Sequence, residues 1–479
     1  MDTSSRIASS QRVLSAPASA VSSDSRSLVE RCLDLWRTLG SSFLGPTAQR
    51  SGLSLLDQIV NSGTSFATSV VIGRLGSRTE FRREELGIYF LGLSLVLFVR
   101  GLQSESILSS YTIFFHRRSG PSLDAYRGSK LVHHLVISAL FTIGLVVFAL
   151  WRANAAGLTD VLWILAGAAP FLLLREYLRQ LSFAHLRLTA ALVLDTSVSV
   201  LQVGGLLLLA WFHVLTAGTA FTVMGVSCAL VCLGWFLCAK QPVRIVSADI
   251  VSDWRTDWPF ARWSLASYLV GCSTPYVMPW LILRAHGVVA TGALAACAQL
   301  ANITSLYVLG VTNVLLPQAA TALAQDGLDG LRGVLRHTAW LVIGPLAPFC
   351  LLVFLTGDLA VVFVYGPAFV GTGLVLTLLT TAVLLNGLGS VAGNGLYAMQ
   401  RPHSNLVADL CVLLVTVALS LWLLPPLGVT GAAIATLGGV TAGVVARWGT
   451  LLRLMRGPAT GDPAVGQVLD SPDSINRRT

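Results

Sequence analysis

Apolar residues fall along this chain in long blocks separated by short polar breaks, a pattern for which a soluble core has no use. Twelve blocks lie near 52–73, 86–108, 131–151, 158–174, 189–212, 218–238, 264–283, 288–316, 338–356, 370–396, 406–424 and 429–452. Each approaches the roughly 20 apolar residues that carry a helix across a bilayer. A chain in lipid must satisfy its backbone internally, so continuous blocks of this length read as helices. The expected fold class is an all-α polytopic membrane protein with about 12 transmembrane helices.

Two blocks break the apolar rule. The first, SLLDQIVNSGTSFATSVVIG, carries Asp57, Gln58, Asn61, Ser62, Thr64 and Ser65 in one half and aliphatic residues in the other. A charge at the bilayer centre costs roughly 2.5–3.5 kcal/mol, so this helix is expected to face protein or a water-filled cavity. The seventh contains Pro275 and Pro279, which are expected to kink or interrupt it. Interrupted helices in transporters often line the transport pathway.

A repeat organises the blocks. Phe183–Asp195, FAHLRLTAALVLD, has the layout of Tyr397–Asp409, YAMQRPHSNLVAD, 214 positions later: an aromatic, an Ala, an Arg, and an Asp eight residues beyond the Arg. Sliding the chain by that offset matches 14 of the 49 positions from 183 to 231. Arg187/Arg401, Asp195/Asp409, Thr216/Thr430 and Gly225/Gly439 weigh most, because Leu and Val coincide readily in apolar helices. The repeat opens the fifth and eleventh blocks, which predicts two homologous six-helix halves. The expected organisation is a cytoplasmic tail at 1–50, a first half at 51–238, a cytoplasmic linker at 239–261, a second half at 262–452 and a tail at 453–479. The tails read as disordered at 1–26 and beyond 453, and the helical spacing from Leu28 to Phe43 suggests an interfacial helix.

Composition agrees: 54% of residues are hydrophobic and 11% charged, with a mean hydropathy of +0.72. Of the 32 Lys and Arg, 26 fall on one side of the twelve blocks if both termini are cytoplasmic. That asymmetry predicts this orientation in a cell membrane, and the net charge of +9 then reflects contact with anionic lipid and no nucleic acid. The eight cysteines sit in or beside apolar blocks and outline neither a disulfide framework nor a metal site. There is no phosphate-binding glycine loop, nucleophile elbow or zinc spacing, so neither ATP hydrolysis nor another enzymatic activity is expected, and no cofactor is implied.

DQIVNSGTSFATSVVIGRLG followed by EELGIYFL resembles the first-span signature of bacterial polysaccharide and O-antigen flippases of the multidrug/oligosaccharidyl-lipid/polysaccharide exporter superfamily. FAHLRLTAALVLD resembles the start of their fifth span, YGPAFVGTGLVL the connection from ninth to tenth, and GVTGAAIAT the opening of the twelfth. The resemblance runs from about Leu53 to Leu452 and departs at SRTEFRREE, where the family has a short link. It implies a transporter that flips a polyprenyl-diphosphate-linked oligosaccharide by rocking two six-helix halves, working among membrane lipids and alongside glycan polymerase or glycosyltransferase machinery. The alternative within the same fold is a cation-coupled multidrug exporter. A glycan-processing membrane enzyme or a non-transporting scaffold stands further off.

Such a substrate needs cations for its diphosphate and amides for its sugars. Arginine suits the diphosphate because its planar fork forms paired, charge-assisted bonds. Arg262, at the mouth of the seventh block, Arg284 at its other end, and Arg100 are the candidate diphosphate contacts. Gln58, Asn61 and Asn302 are candidate sugar contacts, although helix-to-helix hydrogen bonding would use the same groups. Asp57 is the candidate for ion coupling or for pairing with an arginine. The repeated Arg187, Asp195, Arg401 and Asp409 read as a structural bond made twice.

Overall fold

A computed structural model describes residues 46–76, 82–151, 157–238 and 244–456. The expected interfacial helix, the N-terminal disordered segment, most of the enlarged loop at 77–85 and the C-terminal tail beyond 456 lie outside them, while 453–456, expected in that tail, continue the last helix. The described residues form helices and connecting turns, with no strand among them. In chain order these are α1 (Pro46–Leu75), α2 (Arg82–Gln103), α3 (Ser109–Phe114), α4 (Pro121–Trp151), α5 (Leu158–Ala184), α6 (Leu188–Trp211), α7 (Ala217–Cys238), α8 (Ser247–Thr312), α9 (Leu315–Tyr365), α10 (Gly373–Ala398) and α11 (Pro402–Arg456). A π-helical turn at Ser104–Leu108 joins α2 to α3 without a break.

Eight stretches are long and apolar enough to cross a membrane, which makes this a multi-pass membrane protein. Two of the eight hold more than one crossing. The stretch from Thr274 to Tyr365 turns at Gly287 and Gly327, and α11 turns at Gly428. Each turn has a φ between 57° and 79°, a backbone region in which a Cβ is strained, so glycine is what allows a helix to reverse there within one residue. Divided at these glycines, and with α1 added, the long helices take up the twelve apolar blocks in order, with α3 and the part of α9 before Gly327 additional to them. The prolines do not interrupt their helix. The backbone of α8 stays helical through Pro259, Pro275 and Pro279 and leaves the helical region at Gly287.

The repeated motif ends its two helices in the same way. His185 donates to Leu181 and Met399 to Gly395; Leu186 donates to Phe183 and Gln400 to Tyr397; Arg187 donates to Ser182 and Arg401 to Leu396. Leu186 and Gln400, 214 residues apart, both carry a positive φ, 55° and 58°. This is the Schellman turn, with a bulky residue in place of the usual glycine.

The ends of the bundle are packed unequally. At the end where α1 finishes, here the far end, one core joins the first six crossings to the last six, through Ile72, Leu86, Tyr89 and Phe221 on one side and Ala295, Val361, Tyr365 and Phe369 on the other. Glycine lets the backbones touch there: a Cβ at Gly292 would overlap the Arg83 carbonyl, and one at Gly87 the Val288 carbonyl. Tyr365 Oη lies 3.0 Å from Ser69 Oγ, and Arg83 donates to the Val370 carbonyl at 3.1 Å. At the opposite end, where 244–260 connects the two sets, the core divides. Ile107, Tyr177, Leu194 and Cys232 cluster within the first set, and Leu315, Leu335, Leu396 and Leu451 within the last.

Candidate functional site

The polar half of α1 lies along one stripe, Asp57, Asn61, Thr64 and Thr68, whose spacing of four, three and four residues keeps them on one helix face. Every member meets a partner on α5 or α6. Asp57 Oδ2 accepts from Arg179 Nη2 at 2.6 Å, and Asn61 Oδ1 from Arg175 Nη2 at 3.1 Å. The Thr64 and Ser199 hydroxyls are 2.6 Å apart, and Gln202 Nε2 donates to Thr68 at 2.8 Å. The expectation that this helix faces protein is met by these two helices, and Asp57 is 1% exposed.

Asp195, fully buried on α6, joins the two arginines. Its Oδ1 accepts from Arg175 Nε at 3.1 Å and Nη2 at 2.7 Å, and its Oδ2 from Arg179 Nε at 2.7 Å. Arg175 and Arg179 are one turn apart on α5 and so project together. Glu176 extends the network: Gln180 donates to it at 2.8 Å, Arg179 at 3.4 Å, and Arg100 of α2 lies 3.6 Å away. Arg100, Arg175 and Arg179 thus balance Asp57, Glu176 and Asp195. Charges withdrawn from water require such pairing. The balance is incomplete in detail, since Asp57 Oδ1 and Glu176 Oε2 are buried without a hydrogen-bond partner. Arg100 keeps 37% of its side chain exposed.

In the second copy the partner comes from elsewhere. Asp409 pairs with Arg447, beyond the Gly428 turn of α11, where Asp195 pairs with α5. The repeated aspartates therefore both hold arginines, on different helices. Arg187 and Arg401 occupy the turns described above and contribute backbone hydrogen bonds there.

The remaining candidates are dispersed. Arg262 is exposed beside the Trp263 ring, 5.8 Å from its centroid, and Arg284 is exposed at the far end of the same helix. Asn302 is exposed after the Gly287 turn, and Gln58 is half-buried beside Asp57. Of the residues singled out in sequence, Asp57, Asn61, Arg100 and Asp195 come together. Those the sequence reading missed are Arg175, Glu176 and Arg179. The fourth apolar block was expected to end at 174, which left REYLRQ as loop charge, whereas α5 continues to Ala184. The signal was present in the i,i+4 spacing of Arg175 with Arg179 and of Glu176 with Gln180.

A second polar cluster fastens the connecting segment to the first set. Lys130 Nζ lies 2.5 Å from Asp257 and donates to Ser110 at 3.1 Å, Tyr126 donates to Asp257 at 3.0 Å, and Arg118 pairs with Asp253 at 2.8 Å. His133 reaches the Ile250 carbonyl at 3.0 Å. The beginning of α8 is thereby held against α4. Among the described residues no cluster of His, Cys, Asp and Glu is arranged to hold a metal ion.

No family model and no curated protein sequence matches the chain. Solved structures do. The inward-facing conformation of a multidrug resistance MATE family transporter of the MOP superfamily aligns with a TM-score of 0.69 at 14% identity, over 86% of this chain and 96% of that one. The inward closed conformation of the lipid II flippase MurJ gives 0.68 at 15%, over 88% and 89%. A MOP superfamily transporter from Pyrococcus furiosus, described by the reverse polarity of its binding pocket, gives 0.59 at 14%, over 85% and 94%. The helical order, the multi-pass character and these alignments together give the chain the fold of the MOP-superfamily transporters.

Proposed function

We propose that this protein is an alternating-access transporter that flips a polyprenyl-diphosphate-linked oligosaccharide across the cell membrane, with both termini cytoplasmic. The two six-helix halves would rock about the far-end core, opening and closing the divided end. The observation that carries the choice of substrate is the use already made of the acids. Asp57, Glu176 and Asp195 are matched by Arg100, Arg175 and Arg179, and the one loose and solvent-facing pairing is on the arginine side, at Arg100, 3.6 Å from Glu176, while all three acids are buried. Arg100, the most exposed of the three, can turn from Glu176 toward a diphosphate, which accepts paired hydrogen bonds from a guanidinium. Arg262, exposed beside Trp263, supplies a second cation on the route in.

The test is leaflet exchange of a fluorescent polyprenyl-diphosphate oligosaccharide in vesicles containing the purified protein. The parent is expected to exchange it, and Arg100→Ala to slow exchange about tenfold or more while remaining folded and monodisperse, with an unfolding temperature below the parent's because the buried Glu176 loses part of its pairing. A parent that exchanges no such lipid but extrudes a cationic dye down an ion gradient would replace this reading with the multidrug exporter, a possibility the MATE-like fold keeps open.

A further inference from the structure

A groove of about 540 Å³ opens between α9 and the end of α11, on the opposite set of helices from the charge network. Arg332, Arg336, Trp340 and Ile343 of α9 form one wall, and Trp448 and Leu452 of α11 the other. Arg332, Arg336 and Trp340 recur every four residues and Ile343 follows, so cations, indole and aliphatic side chain succeed one another along one helix face at about 5.4 Å per turn.

We propose that this groove binds the headgroup of an anionic phospholipid. Charge complementarity is the first reason. Arg332 is anchored, donating to Asp329 at 2.7 Å and to the Met455 carbonyl at 2.6 Å, and it fastens the two walls together. Arg336 is exposed and pairs with no carboxylate among the described residues, which leaves its guanidinium open to a phosphodiester. The last turn of α11, whose Leu452 and Met455 line the groove, also carries Arg453 and Arg456, which add positive charge to this end of the helix. Basic pockets between helices at the cytoplasmic side of a membrane are suited to anionic headgroups.

The order of side chains supplies the second reason. Trp340 is 65% exposed, and further along α9 come Leu351, Leu355 and Leu359, all exposed and apolar, as a helix facing acyl chains should be. Trp448 is fixed by a 3.1 Å hydrogen bond to the Leu388 carbonyl, so that its ring forms a rigid wall. Indoles sit at the level where headgroup meets hydrocarbon. A phospholipid would thus place its phosphate at Arg336, its ester region at Trp340 and its chains along the leucines. A soluble phosphate would satisfy the arginines and leave the apolar wall unused. In the proposed orientation the site belongs to the inner leaflet, and it does not depend on which substrate the protein carries.

Native mass spectrometry of the intact protein, released from micelles containing equal amounts of dioleoylphosphatidylglycerol and dioleoylphosphatidylcholine, tests this. The parent is expected to retain phosphatidylglycerol in preference, and Arg336→Gln to reduce that adduct several-fold without changing the phosphatidylcholine adduct. Arg255→Gln, which removes another exposed arginine, from the beginning of α8, is expected to leave the preference intact. Equal retention of the two lipids, or a preference untouched by Arg336→Gln, would overturn the proposal. So would displacement of the lipid by millimolar pyrophosphate, which would make the groove a site for soluble phosphate.

Discussion

Asp57 on α1 and Arg179 on α5 meet at 2.6 Å across 122 residues of sequence, in a site from which water is nearly excluded. Arg179 also holds Asp195, so removing this one guanidinium strands two buried carboxylates at once. Breaking a buried pair from one side costs about 3–5 kcal/mol, since the remaining charge is left unmatched. Arg179→Ala should therefore lower the unfolding temperature in detergent sharply, and adding Asp57→Asn should recover part of the loss. If Arg179→Ala unfolds with the parent, the network is not what holds α1.

Lys130 and Asp257 form the comparable pair between α4 and the beginning of α8, both fully or almost fully buried. Lys130→Met keeps the bulk of the side chain and removes its charge, leaving Asp257 with the Tyr126 hydroxyl alone. Backbone amides from 247 to 258 should then exchange hydrogen at least tenfold faster, while those of α6 stay as they were. Unchanged exchange at 247–258 would show that the segment is held by its apolar contacts.

Gly292 faces the Arg83 backbone so closely that any side chain must push α2 and α8 apart. Gly292→Val is expected to loosen the far end. A cysteine placed at Ser69, next to Tyr365, should react several-fold faster with a thiol reagent in that background than in the parent. Equal rates would mean that the far-end core yields elsewhere.

His185 follows the last turn of α5, with its Nε2 2.8 Å from Tyr111 Oη. Burial, helped by the positive charges of Arg127 and Arg187 and by His116, pulls its pKa down to about 4. An unfolded imidazole titrates near about 6.5, so between those values the unfolded chain binds more protons and stability falls as pH drops. His185→Gln can still hydrogen-bond Tyr111 and has no proton to gain. Its melting temperature should decline less than the parent's between about pH 6.5 and 4.5. Parallel declines would assign the acid sensitivity to other groups.

Periodicity made the helices legible because lipid demands long apolar runs whatever the neighbours are. The polar face of α1 was legible for the same reason, as Asp57 and Asn61 interrupt such a run. Their partners were hidden, because Arg175 and Arg179 stand where an apolar block gives way to charge, and charge there usually marks a helix end. Only the length of α5, past its apolar part to Ala184, shows that they lie inside the packing. The repeat told that Asp195 and Asp409 correspond, and the shared turns at Leu186 and Gln400 agree with that. It could not tell that Asp409 would take its arginine from α11. The bends likewise required three dimensions, since prolines announce themselves in sequence more loudly than Gly287 does.

The polarity of α1 has a consequence for how the protein is made. It is not among the eight stretches apolar enough to cross a membrane by composition. Yet it leaves the ribosome before all of them, and the side chains that pair with its polar face follow more than a hundred residues later, at Arg175, Arg179, Ser199 and Gln202. Until α5 and α6 emerge, α1 has no favourable place in hydrocarbon and must wait at the membrane surface or beside the insertion machinery. Its crossing is therefore expected to be a late event in biogenesis, completed when its partners arrive.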